Sequence, residues 1–458
     1  MTQFNNNKII FNKERNFLEE EPHCYDLQNR EKPNLYREIF SYDMVPLTAF
    51  NHRYTMPSMP KEIYITDTTF RDGQQSREPY SVKQIVDLFK MINELGGKNG
   101  VIRQSEFFAY SKKDVEAIYK CRELGFEFPE ITTWIRANKK DFNIVKSLEI
   151  KETGILISCS DYHIFNKMKL TREEAFNKYI EIIHDALCEG IIPRCHLEDI
   201  TRADFYGFVV PLVNKLMEMS KEAGIPVKIR ICDTLGIGAS MPGVTLPRSV
   251  PGIVYGLKNF SHVPSEWLEW HGHNDFYRAV INGITAWMYG ASSVNCSLLG
   301  IGERTGNIPT EAMVMEYASL RGTFNGMNPQ VITDIAEYYT KELKYDIPPM
   351  TPFVGENFNV TKAGIHADGL IKDEEIYNIF DTKKILNREV GVSINQSSGI
   401  AGIVYWYNKR YPDEKVNKDS EIVLEIKKWV DSQYDNGRQH AITNSELEDL
   451  IERIKGEE

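Results

Sequence analysis

A unit of short β-branched strand, polar loop and amphipathic helix recurs along this chain, and such a recurrence leaves few ways to fold. It begins with Glu62–Asp67 (EIYITD). Ser81 then opens SVKQIVDLFKMINELGG, a Ser-x-x-Gln capping box ahead of apolar Val82, Ile85, Phe89, Ile92 and Leu95. Gly96 and Gly97 form its stop signal. Further short strands are predicted near Gly100–Phe108, Glu130–Ile135, Gly154–Ser158, Ile191–Leu197, Val227–Cys232, Trp267–His273 and Ser293–Leu298. Helices are predicted after most of them, at Ser111–Leu124, at Thr171–Cys188 (Thr171 and Glu174 forming a second capping box) and at Pro309–Leu320. Eight such units in roughly 260 residues predict an α/β chain folded as a (β/α)8 TIM barrel. A doubly wound open sheet is the rival topology.

The flanks read differently. Residues 1–60 are rich in Asn, Glu and Arg, with scattered apolar Ile9, Ile10, Phe11, Leu35, Ile39 and Phe40. They are expected to be an arm lying on another surface, with one short helix near Leu35–Tyr42; a partly disordered tail is the alternative reading. After Gly322 the rhythm stops. Residues 323–458 read as mainly helical, at Pro329–Leu343, Asp373–Phe380 and Lys418–Tyr434, interrupted at Phe353–Gly369. No second β-rich regulatory domain is expected. The expected division is thus an arm (1–60), a catalytic barrel (61–322) and helical subdomains (323–458).

Composition removes several classes of function. The 458 residues carry 54 Lys+Arg against 65 Asp+Glu, a net charge of −11, and this acidity argues against a nucleic-acid partner. An apolar fraction of 42% is enough to bury a core, which excludes wholesale disorder. No apolar run reaches about 18 residues, so no membrane span is expected. Met1–Lys8 is polar and lacks a signal-peptide core. Seven scattered cysteines with no CxxC pair point to a reducing cytoplasm.

In a βα barrel, chemistry gathers where strands end, and the unusual polar clusters fall there. His271-Gly272-His273-Asn274-Asp275 closes the seventh predicted strand. Residues i and i+2 of a strand share a face, so both imidazoles can offer a nitrogen to one divalent metal. Thr66-Asp67-Thr68-Thr69-Phe70-Arg71-Asp72-Gly73-Gln74-Gln75 follows the first strand and offers Asp72 as a third ligand. Hydrogen-bonded core histidines are the bland alternative. Arg71 could polarise a substrate oxygen, or simply pair with a surface acid. Strand five ends in Arg194-Cys195-His196-Leu197-Glu198-Asp199. An inward Arg194 needs an anion, either a ligand or the neighbouring Glu198 or Asp199. Thr234 follows strand six, where its hydroxyl could bind a carboxylate oxygen. Gly300-Ile301-Gly302-Glu303-Arg304-Thr305-Gly306-Asn307 is a glycine-bearing loop that could bring backbone N–H groups close to a phosphate or thioester.

Three of these segments, Asp67–Gln75, His271–Asp275 and Gly302–Asn307, together with Lys362-Ala363-Gly364-Ile365-His366-Ala367-Asp368-Gly369, resemble the signatures of the acyl-CoA condensing enzymes of the isopropylmalate synthase and homocitrate synthase (DRE-TIM metallolyase) superfamily. The long N-terminal region and the segment Trp287–Asn307 are most similar to its citrate-forming members. The resemblance implies a Claisen-type condensation: acetyl-CoA loses a methyl proton, the carbanion attacks a 2-oxo acid, and thioester hydrolysis completes the reaction. It implies a divalent metal held by Asp72, His271 and His273. Mn2+ is the first candidate, with Co2+, Mg2+ or Zn2+ as alternatives, and the metal would chelate the oxo acid as a Lewis acid. Arg71 would stabilise the alkoxide, and Glu198, His366 and Tyr377 would serve as acid/base groups. Thr234, Gln75, Arg194 and His196 would bind the oxo acid, while Gly302, Glu303, Arg304 and Asn307 would serve acetyl-CoA. A homodimer is implied, each helical subdomain covering the partner's barrel, with no membrane or nucleic-acid partner.

Substrate choice follows from two of these positions. Homocitrate synthases are similar in carrying Arg at the position of Arg194, where it meets the distal carboxylate of a dicarboxylic oxo acid. His196 stands where they have a small Ser, which shortens the pocket and favours oxaloacetate over 2-oxoglutarate. Isopropylmalate or citramalate synthesis comes third. A hydroxyacyl-CoA lyase would place Cys in the loop after strand eight, which here reads GIGERTGN. A non-enzymatic scaffold would have a broken metal set. This chain departs from the family pattern at Gln74, Trp134, Leu299 and Thr361, and the acid expected on strand two aligns with either Gln104 or Glu106.

Overall fold

The computed structural model describes residues 9–12, 17–20, 25–51 and 53–456. Two compact units divide at Asn328/Pro329. In the first, an antiparallel hairpin of β1 (Ile9–Asn12) and β2 (Phe17–Glu20) precedes eight parallel strands. These are β3 (Tyr64–Asp67), β4 (Ile102–Phe107), β5 (Glu130–Ile135), β6 (Glu152–Ser158), β7 (Ile192–Glu198), β8 (Lys228–Asp233), β9 (Leu268–Gly272) and β10 (Ser293–Cys296). They pair in chain order, and β10 returns to β3 to close the barrel. The chain is therefore a (β/α)8 barrel and not an open sheet.

The helices wrap the barrel because each carries one apolar face. They are α1 (Val82–Gly96), α2 (Lys112–Glu123), α3 (Phe142–Ser147), α4 (Arg172–Cys188), α5 (Val210–Ala223), α6 (Val250–Asn259), α7 (Ala279–Tyr289) and α8 (Thr310–Arg321). On α1 that face is Ile85, Leu88, Phe89, Ile92 and Leu95, all buried. Both expected capping boxes are present: Ser81 with Gln84, and Thr171 with Glu174. No helix among the described residues is long and apolar enough to cross a membrane.

The segment before the barrel lies along it as extended chain. The buried Arg172 guanidinium donates to the Gln28 carbonyl and pairs with Asp161 and Asp204. Arg248 donates to the carbonyls of Pro46 and Leu47. Ile39 and Phe40 pack with Ile237, against which Leu235 and Phe276 also lie. The helix expected at Leu35–Tyr42 is absent: Tyr36 and Tyr42 take left-handed φ of 46° and 76°, which breaks any helical run.

The second unit holds α9 (Val331–Lys341), α10 (Gly364–Lys372), α11 (Thr382–Leu386), α12 (Gly399–Arg410), α13 (Glu421–Asp435) and α14 (Asn444–Gly456). A short parallel pair joins β11 (Val360–Thr361) to β12 (Gly391–Val392). Its own core is built from α12 (Ile403, Tyr407), α13 (Val423, Ile426) and α14 (Leu447, Ile451). The helix expected over Asp373–Phe380 reduces to one tight turn at Glu374–Ile376.

Candidate active site

Parallel strands all end at one face of the barrel, and three sequence-distant ligands meet there. Asp72 sits in the helical turn Thr69–Gly73 that follows β3, and its N–H donates to the Thr68 hydroxyl at 3.4 Å. His271 is the penultimate residue of β9 and His273 follows the strand on the same side, their rings 5.1 Å apart at 85°. One ligand atom from each of the three lies within 4.8 Å of the others, and all three residues are buried. The Nε2 atoms of His271 and His273 stand 3.9 and 3.7 Å from Asp72 Oδ2. Those spans are too long for hydrogen bonds but fall below twice the metal–ligand bond of about 2.1 Å. Asp72 Oδ2 and His273 Nδ1 are buried with no hydrogen-bond partner among the described residues.

A hydrogen-bonded chain sets the His271 tautomer. Asn295 donates its amide N–H to Thr66 Oγ1 at 3.0 Å, which leaves Oδ1, 2.8 Å away, to accept from His271 Nδ1. The lone pair then resides on Nε2, facing Asp72, the arrangement of an oriented metal ligand. Charge supports it. Burial disfavours ionised Asp72, yet the adjacent Arg71 guanidinium prevails and holds the carboxyl below the usual range. Burial also pushes His271 down to about 3 and lowers His273, so both imidazoles are neutral at pH 7. A carboxylate and two neutral imidazoles fit a divalent cation.

Arg71 is fixed from three directions. Its Nη1 lies 2.8 Å from Asp72 Oδ1, its Nε lies 3.2 Å from Glu106 Oε2, and its guanidinium stacks on the Trp134 ring at 5.2 Å. Glu106 is therefore the strand-two acid beside the site. Gln104 lies deeper, bonded to Glu130 and Glu152.

Below this rim the barrel is filled with charge instead of hydrocarbon. Arg194 donates to Glu152 and Gln104 and pairs with Glu269 at 2.8 Å. Arg230 joins Glu106 at 2.8 Å and also Glu269, and Lys228 reaches Glu152. Arg194, the expected reader of a distal substrate carboxylate, sits inside this network. Its donors are already met by protein acceptors, and these are Glu152 and Glu269 instead of Glu198 or Asp199. His196 does reach the site. Its Nε2 lies 3.4 Å from Glu106 Oε1, and neither ring nitrogen forms an aligned hydrogen bond among the described residues. Burial, with Arg230, Arg71 and His271 nearby, drives it well below its ordinary pKa, so it is a neutral ring. Gly154 makes the room, because a Cβ there would stand 2.5 Å from His196 Nε2.

The remaining expected residues divide. Glu198 accepts from Ser158 and lies 3.0 Å from His163 Nδ1 and 3.5 Å from Lys167. Burial opposes its charge, but His163, Ser158 and Lys167 prevail and pull its pKa down to about 2. Thr234 Oγ1 accepts the Asp199 N–H at 2.8 Å. Gln75 is exposed, while the buried Gln74 bonds to Lys113 and Asp114. Arg304 pairs with Asp275 at 2.8 Å and donates to the Thr234 carbonyl, tying the last loop to two others. Gly306 at φ 91° lets that loop close, since a Cβ would collide with the Gly300 carbonyl at 2.1 Å. The Gly302 Cα packs against Asn307, and Glu303 is partly exposed. His366 and Tyr377 meet within the second unit at 4.3 Å between rings, and Gly369 leaves the space for Tyr377.

Sequence reasoning missed Asn295, Arg230, Glu269, Glu152 and His163. One signal was available: an ionisable residue at every second position along a barrel strand, as in Glu269-x-His271-x-His273 and Arg194-x-His196-x-Glu198.

Comparison with known proteins agrees with this geometry. The chain is 58% identical over 436 residues to a citrate (Re)-synthase of Clostridium kluyveri, covering 94% of this chain and 96% of that one. It is 51% identical to a citrate (Re)-synthase of Syntrophus aciditrophicus, covering 94% of this chain and 69% of that one. A 2-phosphinomethylmalate synthase of Streptomyces hygroscopicus is 36% identical over 93% of this chain and 98% of its own. A family model matches residues 62–338, from the first barrel strand to beyond the last, and by that match the chain belongs to the HMGL-like family.

Proposed function

We propose that this chain condenses acetyl-CoA with oxaloacetate and hydrolyses the thioester, giving citrate and CoA. The observation that carries the reading is the 58% identity, over nearly the whole of both chains, to a citrate (Re)-synthase. The acceptor is a dicarboxylic 2-oxo acid, and the "(Re)" in the relatives' names supplies the face of attack within this reading.

Each site group has a role in that chemistry. Asp72, His271 and His273 would hold a divalent cation, with Mn2+ the first candidate. That cation supplies Lewis-acid polarisation of the acceptor carbonyl. Arg71, held by Asp72, Glu106 and Trp134, directs its remaining donor toward the oxygen that gains charge as the new carbon–carbon bond forms. The Thr234 hydroxyl accepts the Asp199 N–H and donates at 3.5 Å to the Cys232 carbonyl, a long bond it would exchange for one to the C1 carboxylate. His196 limits pocket length from the β7 side. Glu198 is kept ionised beside His163, which suits it to orienting that imidazole and not to donating a proton. His366 and Tyr377 move the methyl proton of acetyl-CoA, and the backbone of the Gly302–Asn307 loop lies against its thioester arm. For the second unit to serve in this way, the chain acts as a homodimer whose helical residues 323–458 cover the partner's barrel. A cytoplasmic location completes the proposal.

The test is turnover. Enzyme, Mn(II) and acetyl-CoA are incubated with oxaloacetate, 2-oxoglutarate or 2-oxoisovalerate while free thiol is followed. Oxaloacetate alone should release CoA, and turnover with 2-oxoglutarate but not oxaloacetate would overturn the reading.

A further inference from the structure

Trp134 faces into the barrel from β5, opposite Gly154 in register, and packs edge-on against Phe108 and Tyr110. Its ring carries the Arg71 guanidinium at 5.2 Å. Its indole Nε1 is buried and meets no hydrogen-bond acceptor among the described residues. A buried N–H left unmade is costly unless something else completes it. The neighbouring cations are engaged with protein acceptors. Arg71 is turned toward Asp72 and Glu106, and the Arg194 donors are occupied by Glu152, Gln104 and Glu269. A dicarboxylic oxo acid brings two carboxylates, and only one of them adjoins the reacting carbonyl. The second needs a donor of its own.

We propose that Trp134 is a positioning residue for Arg71 through its ring face, and that its indole N–H binds the oxo acid's carboxylate remote from the reacting carbonyl. The assignment rests on the oxaloacetate reading above. Ring face and N–H are separable by substitution, which makes the two parts separately testable.

Steady-state kinetics of the full-length Mn(II)-loaded enzyme test it. Trp134→Phe keeps a ring face and removes the N–H. It should raise KM for oxaloacetate about tenfold and leave kcat within about twofold. Trp134→Leu removes both and should lower kcat by a further tenfold or so, with KM for acetyl-CoA unchanged. Thermal melts of both variants control for a merely structural role, which would shift Tm without splitting KM from kcat. An unchanged oxaloacetate KM in Trp134→Phe overturns the donor assignment, and a wild-type kcat in Trp134→Leu overturns the positioning of Arg71. If the wild type itself ignores oxaloacetate, the functional reading has failed instead, before any variant is measured.

Discussion

On the barrel floor, Arg194, Lys228 and Arg230 face Glu106, Glu152 and Glu269, and the buried nitrogens and oxygens of these side chains all have protein partners. Toward the ends of the barrel strands, Asp72 Oδ2, His273 Nδ1, both nitrogens of His196 and the Trp134 N–H form no hydrogen bond among the described residues. Floor and rim both bury ionisable side chains. The floor sets three carboxylates against three cations, with Glu106 also reaching Arg71 at 3.2 Å, so it fixes the strand ends and leaves no unmet polar atom of its own for a ligand. The rim keeps polar atoms unmet, and in a native fold such atoms mark where a ligand completes the structure. Burial of charge by itself identifies neither.

The sharpest way to break this contrast is to remove one group from each layer. His271→Ala should abolish turnover, on the order of 10³-fold or more, and release the metal while leaving the melting temperature nearly unchanged. Full activity together with retained metal would sink the ligand assignment. Glu269→Ala should do the reverse, unfolding more easily by about 3–5 kcal/mol because Arg194 and Arg230 lose a shared partner inside the barrel. Denaturant titration measures it, and a loss under about 1 kcal/mol would show that the floor is not a closed network.

Glu269 also carries a pH signature. Burial opposes its charge, but Arg194 and Arg230 prevail, and its folded pKa is lowered to about 2. A depressed carboxyl stabilises above its unfolded value and loses that contribution as pH falls toward the folded value. The wild type should therefore weaken between about pH 4.5 and pH 2. Glu269→Gln should flatten that part of the stability curve, and equal acid slopes in the two proteins would contradict it.

Between the layers, Gly154→Ala drives a methyl into the His196 ring and should cost about 1–3 kcal/mol while raising KM for oxaloacetate. An unchanged KM would separate His196 from the pocket. Ser81→Ala belongs to neither layer. It removes the α1 cap, so about 1 kcal/mol of stability should go with no kinetic effect, which sets the baseline for the other variants.

Much of this molecule was legible before folding. The spacing of apolar residues on α1 and the Ser81–Gln84 and Thr171–Glu174 boxes are local, and they formed as written. The extended arm was legible only in part, because Tyr36 and Tyr42 answer to left-handed turns that hydrophobic spacing does not report. His271 and His273 were legible as a pair because two residues on a strand must share a face. Arg194 was not, since a guanidinium on a strand looks the same whether it awaits a substrate or meets Glu152.

The sequence by itself determined the repeated βα unit, the ends of its strands and the residue types carried there, because these depend on neighbours within a few positions. Only the tertiary structure decided which charges cancel and which remain. Closing the barrel sets β3 beside β10 and β8 beside β9. That closure brings Asp72 to His271, Glu269 to Arg194 and Trp134 to Arg71 across dozens to hundreds of residues. Periodicity reports which way a side chain points; its partner depends on strand order and register, and those exist only once the barrel has closed.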